Sequence, residues 1–197
     1  MYEQSKSAKR RFNDGYFHSR YYVGHGIDIG CGEDSVGRYK HVFSQIQSVM
    51  PWDVADGNAT HMEGVYDDTF DFVNSSHSLE HMDNPYVALT NWIRILKPGG
   101  YCIITVPDES LYEKEHWPSK YNPEHTHSFT LKGNSSLPKS VNVLQMCFGL
   151  SNICVVERIQ LIDEFYDWNY HSYDQTLTVT TECAIEIILM KNKRDTV

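Results

Sequence analysis

Three short stretches of the chain hold residue types that could do chemistry. In Gly26-Ile27-Asp28-Ile29-Gly30-Cys31-Gly32, two glycines directly follow a short apolar run. Glycine there lets the backbone turn sharply and lets a ligand approach the main chain. His77-Ser78-Leu79-Glu80-His81 spells HxxEH, which on a helix would put two imidazoles on one face as zinc ligands, with a glutamate nearby as a base. His125-Thr126-His127 places two more histidines near Trp117, Tyr121 and Asn122. Ten histidines are more than a chain of 197 residues usually carries, and histidine is the side chain that exchanges a proton near neutral pH.

The charges around the glycines narrow the ligand. Asp28, Glu33 and Asp34 crowd the turn and Arg38 is the nearest base, so a pyrophosphate would meet carboxylates at short range. Ser35 also stands where a dinucleotide fingerprint has its third glycine, which disfavours a nicotinamide oxidoreductase. Asp53 follows at about the spacing at which a carboxylate meets a ribose diol. A cofactor with ribose and adenine but a cationic reacting end suits this turn. S-adenosylmethionine has an ammonium, a sulfonium and no phosphate. The plain alternative is a tight strand-to-helix turn with no ligand.

HxxEH needs a helix across all five residues, yet the segment leaves a strand-like run through Asn74-Ser75-Ser76. No downstream acid stands out as a third ligand, and carboxylates near HxH are few. Neither motif is therefore expected to hold a catalytic ion, and a zinc hydrolase is kept as the rival reading of HxxEH. His77 follows the C-terminal end of a strand, where open α/β sheets bind ligands.

These residues need a scaffold. Residues 4–14 read as a helix, 26–29 as a buried strand and 35–43 as a second helix. Ser48-Val49-Met50 reads as a strand stopped by Pro51, and 70–73 as another strand. Asn84 and Pro85 open the clearest helix, with Leu89, Trp92, Ile93 and Leu96 on one face. Lys97-Pro98-Gly99-Gly100 ends it before a strand over 101–106. Alternating strands and helices imply a parallel sheet covered on both faces. Residues 153–161 and 177–190 read as an antiparallel edge pair, the second with one apolar face. The segment between 108 and 136 is too long for an idle connection.

Composition sets the outer bounds. Hydrophobic residues make up 41% and charged residues 22% of the chain, as in an ordinary globular domain. The net charge of −9 argues against nucleic acid as a partner. The basic residues Lys6, Lys9, Arg10 and Arg11 read as a solvated helix face. No apolar run approaches a membrane span and the N-terminus is polar, so a cytoplasmic protein with no membrane partner is expected. Five scattered cysteines without a CxxC read as reduced thiols.

GIDIGCG, the Asp53 after it, FDFVNSSHSLEHM and RILKPGGYCIITVP resemble, in order and spacing over residues 25–107, the motifs of class I S-adenosylmethionine-dependent methyltransferases. VPDESLYEKEHWPSKYNPEHTHSFT, DQT and ECAIEIILMKNK resemble a subgroup of small methyltransferases, many of them belonging with surface-glycan biosynthesis. The resemblance implies a Rossmann-like α/β fold: a seven-stranded, mostly parallel sheet of order 3-2-1-4-5-7-6 with strand 7 antiparallel and helices on both faces. It also implies roles for single residues. Asp28, Gly30 and Gly32, with Cys31 between them, would flank the methionine moiety, and Asp53 would hold the ribose. Asn58 and Ala59 would lie beside the adenine, and Ser76 and His77 near the reactive methyl. His125 is the first choice of base and His77 the second. Tyr112, Trp117, Tyr121, Asn122 and His127 would bind the acceptor.

One departure stands out. Only about four residues separate Asp53 from Gly57, so the helix that usually precedes the third strand is missing. No Asn/Asp-Pro-Pro-Tyr follows the fourth strand, and no aspartate stands where magnesium-dependent catechol-type enzymes have one. Methyl transfer to a hydroxyl of a small or glycan-like acceptor, in a metal-free site, is expected. The rival in another class is a binding module that keeps the cofactor pocket without catalysis. The expected organisation is one domain over 1–197: a helical lead-in (1–24), a cofactor core (25–107), an acceptor-side loop (108–136) and a C-terminal helix with the antiparallel pair (137–197). The sequence does not give the oligomeric state.

Overall fold

A computed structural model describes residues 3–135 and 137–193. Six strands form its main sheet in the order β2-β1-β3-β4-β8-β7. These are β1 (Gly24–Ile29), β2 (Ile46–Trp52), β3 (Phe70–Ser76), β4 (Leu96–Pro107), β7 (Cys154–Ile162) and β8 (Ala184–Lys191). The first four run parallel, and β8 is antiparallel to both β4 and β7. Two short strands, β5 (Ser128–Thr130) and β6 (Ser140–Asn142), pair separately. This is the mixed α/β, Rossmann-like class expected, with six strands in place of seven among the described residues. The strand beyond β2 is the one lacking. After Asp53 the chain makes a single 3-10 turn, Val54–Asp56, followed by turns up to β3.

Both faces of the sheet are covered. On one, Ile27, Ile29, Val73, Ile104 and Ile187 pack against the apolar sides of α2 (Pro85–Arg94) and α3 (Val143–Gly149). On the other, Phe72, Ile103 and Ile188 pack against Ala8 of α1 (Glu3–Phe12) and the π-turn Phe17–Tyr21. Asn84 caps α2 by accepting from Tyr86 N and Val87 N, with Pro85 at the first helical position.

Several local expectations need correction. Residues 35–43 contain only a 3-10 turn, Val36–Tyr39, in place of a helix. Pro51 does not stop β2, because β2 is an edge strand and an edge tolerates a missing N–H. The last strand starts at Ala184, not Leu177, and buries both faces, including Glu186. The basic helix face is not solvated: Lys6 and Arg11 are buried. The Arg11 guanidinium donates to Glu186, Tyr22 OH and Thr105 Oγ1, and Arg10 adds a second contact to Glu186. These arginines hold the Glu186 carboxyl down to about 2 against the cost of burial. The lead-in helix is thereby bolted across the C-terminal ends of the central strands.

Candidate functional site

The chain turns at Gly30 with φ of 69° and at Gly32 with φ of 50°, left-handed conformations that favour glycine. A Cβ on Gly30 would lie 2.2 Å from Ser78 Oγ. Beneath the turn, buried Asp28 accepts from Val36 N and from Asn74 Nδ2, each at 2.6 Å. Burial pushes its carboxyl up to about 6, although those two hydrogen bonds oppose the rise. Asp28 thus spends its oxygens on bracing the loop. The acidic crowd also thins: Asp34 turns to α1, accepting from Ser5 N, Ser5 Oγ and Tyr39 OH.

Asp53 is the end-stop of β2. Its carboxylate accepts from Gly32 N and Val54 N at 2.8 Å each, and its own N–H donates to Asp56 at 2.8 Å. A cavity of about 690 Å³ opens at this end of the sheet. Gly30, Asp53, Asn58, Ala59 and His77 line it. Cys31, Gly32 and Ser76 adjoin these residues without being part of that wall, and burial raises the Cys31 thiol pKa. Asn58 Oδ1 already accepts from Thr60 N, so its amide would meet adenine with one oxygen lone pair and its NH₂.

The residues fit S-adenosylmethionine on an observation independent of any motif. Trp52 Nε1 is buried, lacks a hydrogen-bond partner, and belongs to a residue of the cavity wall. A bound ligand with acceptor oxygens or nitrogens would satisfy it. Trp52 carries no sequence signal beyond standing one residue before Asp53.

The two histidine motifs meet. HxxEH forms no helix; Leu79–His81 is one 3-10 turn, and His77 takes φ of 55° as it leaves β3. The zinc-hydrolase arrangement, with His77 and His81 on one helix face, is therefore not built. Instead Glu80 lies fully buried among three histidines. Its Oε1 is 3.6 Å from His77 Nδ1 and 3.9 Å from His125 Nε2. His81 stacks edge-on against His125 with ring centroids 5.0 Å apart. Burial alone would raise the Glu80 carboxyl pKa, but His77 first, then His125 and His81, bring it below its ordinary value. Burial likewise disfavours the His77 cation, and Glu80 and Glu3 overturn that and raise its pKa.

The loop after β4 is fastened to this cluster. Thr126 N, His127 N and Thr126 Oγ1 all donate to the Glu80 carbonyl oxygen. His125 is buried, and its Nδ1 sits 2.6 Å from Oε1 of Glu113, itself fully buried. His125 is thus set behind His81, off the cavity wall. Burial, then Lys139, lowers the His127 pKa. Tyr112 packs edge-on against Tyr121 at 5.7 Å and lies 5.5 Å from His125. Tyr121 OH donates to the Ser172 carbonyl, and Asn122 Oδ1 accepts from Glu124 N. Trp117 is partly buried in the same loop, joined to Pro118 by a cis peptide bond. None of the five acceptor-loop candidates (Tyr112, Trp117, Tyr121, Asn122 and His127) lines the cavity; Glu124 does. Glu113 and Trp52 are the residues to which no motif points, whereas Glu80 and His81 enter the sequence reading only as parts of HxxEH.

The sequence matches the family model for the methyltransferase domain over residues 14–135. No curated protein matches the chain. Among solved structures, an S-adenosylmethionine-dependent methyltransferase of Mesorhizobium loti superposes with a TM-score of 0.59 at 12% identity, covering 96% of this chain and 98% of that one. One from Archaeoglobus fulgidus gives 0.58 at 16% identity, covering 96% and 94%. The complex of the Haloferax volcanii Trm112 methyltransferase activator with a methyltransferase gives 0.60 at 14%, covering 96% and 93%.

Proposed function

The chain belongs to the methyltransferase domain family, and from that membership we propose that it transfers the methyl group of S-adenosylmethionine to a hydroxyl oxygen of a small or glycan-like acceptor. One observation carries the reading. The left-handed Gly30 turn, Asp53 and Trp52, whose buried indole N–H lacks a partner, line the same cavity. The cofactor supplies an electrophilic methyl on sulfur. Asp53 would take the ribose hydroxyls, Trp52 a ligand acceptor, and Asn58 with Ala59 the adenine edge.

The acceptor oxygen attacks the methyl carbon in line, the carbon–sulfur pair stays on sulfur, and the hydroxyl proton must leave. Alignment supplies most of the rate. We assign the proton to His77, which lines the cavity at the C-terminal end of β3. His125, the first choice from sequence, sits behind it and supports the Glu80 cluster. Tyr112, Trp117, Tyr121, Asn122 and His127 would form the outer acceptor wall, with aromatic faces suited to a sugar ring.

The test is methyl uptake from labelled S-adenosylmethionine across a panel of nucleotide sugars and glycans, together with calorimetry. His77→Gln should cut turnover roughly 10²–10⁴-fold, the range for a general base, with cofactor affinity little changed. Failure to bind S-adenosylmethionine would remove the reading. Near-normal turnover in His77→Gln would remove only the assignment of the base.

A further inference from the structure

We propose that Glu80, His81 and His125 form a binding site for a divalent transition-metal cation, zinc or a close neighbour of it, at the back of the cavity. One ligand atom from each of the three residues lies within 4.8 Å of the others. Ligands about 2.0–2.2 Å from a common ion stand roughly 3–4 Å apart, so small side-chain rotations close the site.

Hydrogen bonds already set both imidazoles for this task. His81 Nδ1 lies 3.0 Å from the Glu124 carbonyl oxygen. A carbonyl only accepts, so Nδ1 carries the hydrogen and Nε2 keeps its lone pair. His125 Nδ1 faces Glu113 Oε1 at 2.6 Å, which leaves its Nε2 turned toward Glu80. Metal-binding histidines are oriented by this kind of outer contact to a carboxylate or carbonyl.

Glu80 supplies an independent sign. Its residue is 0% exposed, and both carboxylate oxygens lack a hydrogen-bond partner. A fully buried carboxylate without a close hydrogen-bond donor is costly, and the His77 and His125 nitrogens approach it only to 3.6 and 3.9 Å. A cation between Glu80 and the two Nε2 atoms would satisfy all three. The three donors on the Glu80 carbonyl hold the two ligand-bearing segments together beforehand.

Two imidazole nitrogens and one carboxylate favour zinc, iron or cobalt over magnesium or calcium, which prefer oxygen. Three protein ligands leave a coordination position open, and His81 lies on the cavity wall. The inference there deepens, and rests on, the methyl-transfer reading. The acceptor hydroxyl would bind the cation, lose its proton to His77, and attack the methyl carbon as the carbon–sulfur pair moves to sulfur. Judged separately, each motif lacks a third ligand, and so the sequence suggests a metal-free site.

The test starts from EDTA-treated full-length protein titrated with Zn²⁺ and with Co²⁺. One equivalent should be retained on gel filtration, with a visible cobalt absorption band from nitrogen and oxygen ligands. Glu80→Gln and His125→Gln should each weaken binding by more than about 100-fold, and Glu113→Gln by the roughly 10–100-fold typical of outer contacts. His61→Gln, on an exposed residue away from the cluster, should leave affinity alone. If Glu80→Gln fails to fold, His81→Gln replaces it, being nearer solvent. Substoichiometric metal, or unchanged affinity in the folded ligand variants, overturns the site. Stoichiometric metal with turnover indifferent to EDTA overturns the placing of the acceptor on the cation. Calorimetry of S-adenosylmethionine on the metal-free protein reads the family assignment separately from both.

Discussion

Replacing Asp53 with alanine separates two jobs that one carboxylate performs. The first is structural: its oxygens accept from Gly32 N and Val54 N, and the reciprocal bond from Asp53 N to Asp56 completes a capping box. Losing a cap of this kind costs about 0.5–2 kcal/mol of stability. The second is the proposed hold on the ribose, where hydrogen bonds to a charged acceptor would contribute about 1.5–3 kcal/mol. At about 1.4 kcal/mol per tenfold, that is a loss of roughly 10-fold to 150-fold in affinity. Calorimetry with S-adenosylmethionine and its demethylated product, run well below the variant's melting temperature, isolates the second job from the first. Asp56→Ala is the control. It breaks the same capping box from the other side, so it should lower stability by a similar fraction of the cap and leave affinity nearly unchanged. A folded Asp53→Ala protein with a wild-type dissociation constant would refute the ribose role. Equal affinity losses in both variants would show that the cap, and not the ribose contact, matters.

Three further outcomes follow from the same geometry. Gly30→Ala should lower stability by at least about 1–2 kcal/mol for the left-handed backbone alone; its Cβ also meets Ser78, so Ser78→Gly should recover part of the loss in a thermal-melt cycle. Arg10→Met combined with Arg11→Met removes both close cations from the buried Glu186 carboxylate and should cost about 3–5 kcal/mol, or roughly 6–20 °C of melting temperature at this chain length, with Arg11→Met alone costing less because Arg10 remains 2.9 Å away; a shift of a degree or two in the double variant would contradict it. Asp28 has a pKa of about 6 folded against an ordinary 3.8, so the native state binds its proton more tightly and stability from this group falls as pH rises from about 4 to 6. The loss totals about 3 kcal/mol, read as the pH dependence of the stability difference between wild type and Asp28→Asn, and a flat difference across that window would dismiss it.

Much of the scaffold was legible because its signals are local. Asn84-Pro85 with the Leu89, Trp92 and Ile93 stripe fixes α2, and the Gly30 and Gly32 turn after an apolar run fixes where β1 ends. The short Asp53-to-Gly57 spacing likewise announces the missing helix after β2, but not that the edge strand itself is lacking. What stayed hidden depends on partners distant in sequence. Glu186 looks like an interruption in an apolar run until Arg10 and Arg11, more than 170 residues earlier, are seen to reach it. Lys6 and Arg11 look solvated for the same reason. Within the site, His125 is the first choice of base by its place in the family resemblance. Neither its burial against Glu113 nor its convergence on Glu80 has a signature in spacing, since nothing near residue 125 states that residue 80 lies beside it.

The Glu80 carbonyl oxygen has two lone pairs and receives three donors. Of those donors, the amide protons of Thr126 and His127 exchange with solvent only when that junction opens. Their deuterium uptake is therefore a gauge of how often the loop after β4 lifts off the turn that carries Glu80, readable with no substrate in hand. Because both protons sit on one oxygen, they should be released together, as a latch opening and not as a loop fraying from one end.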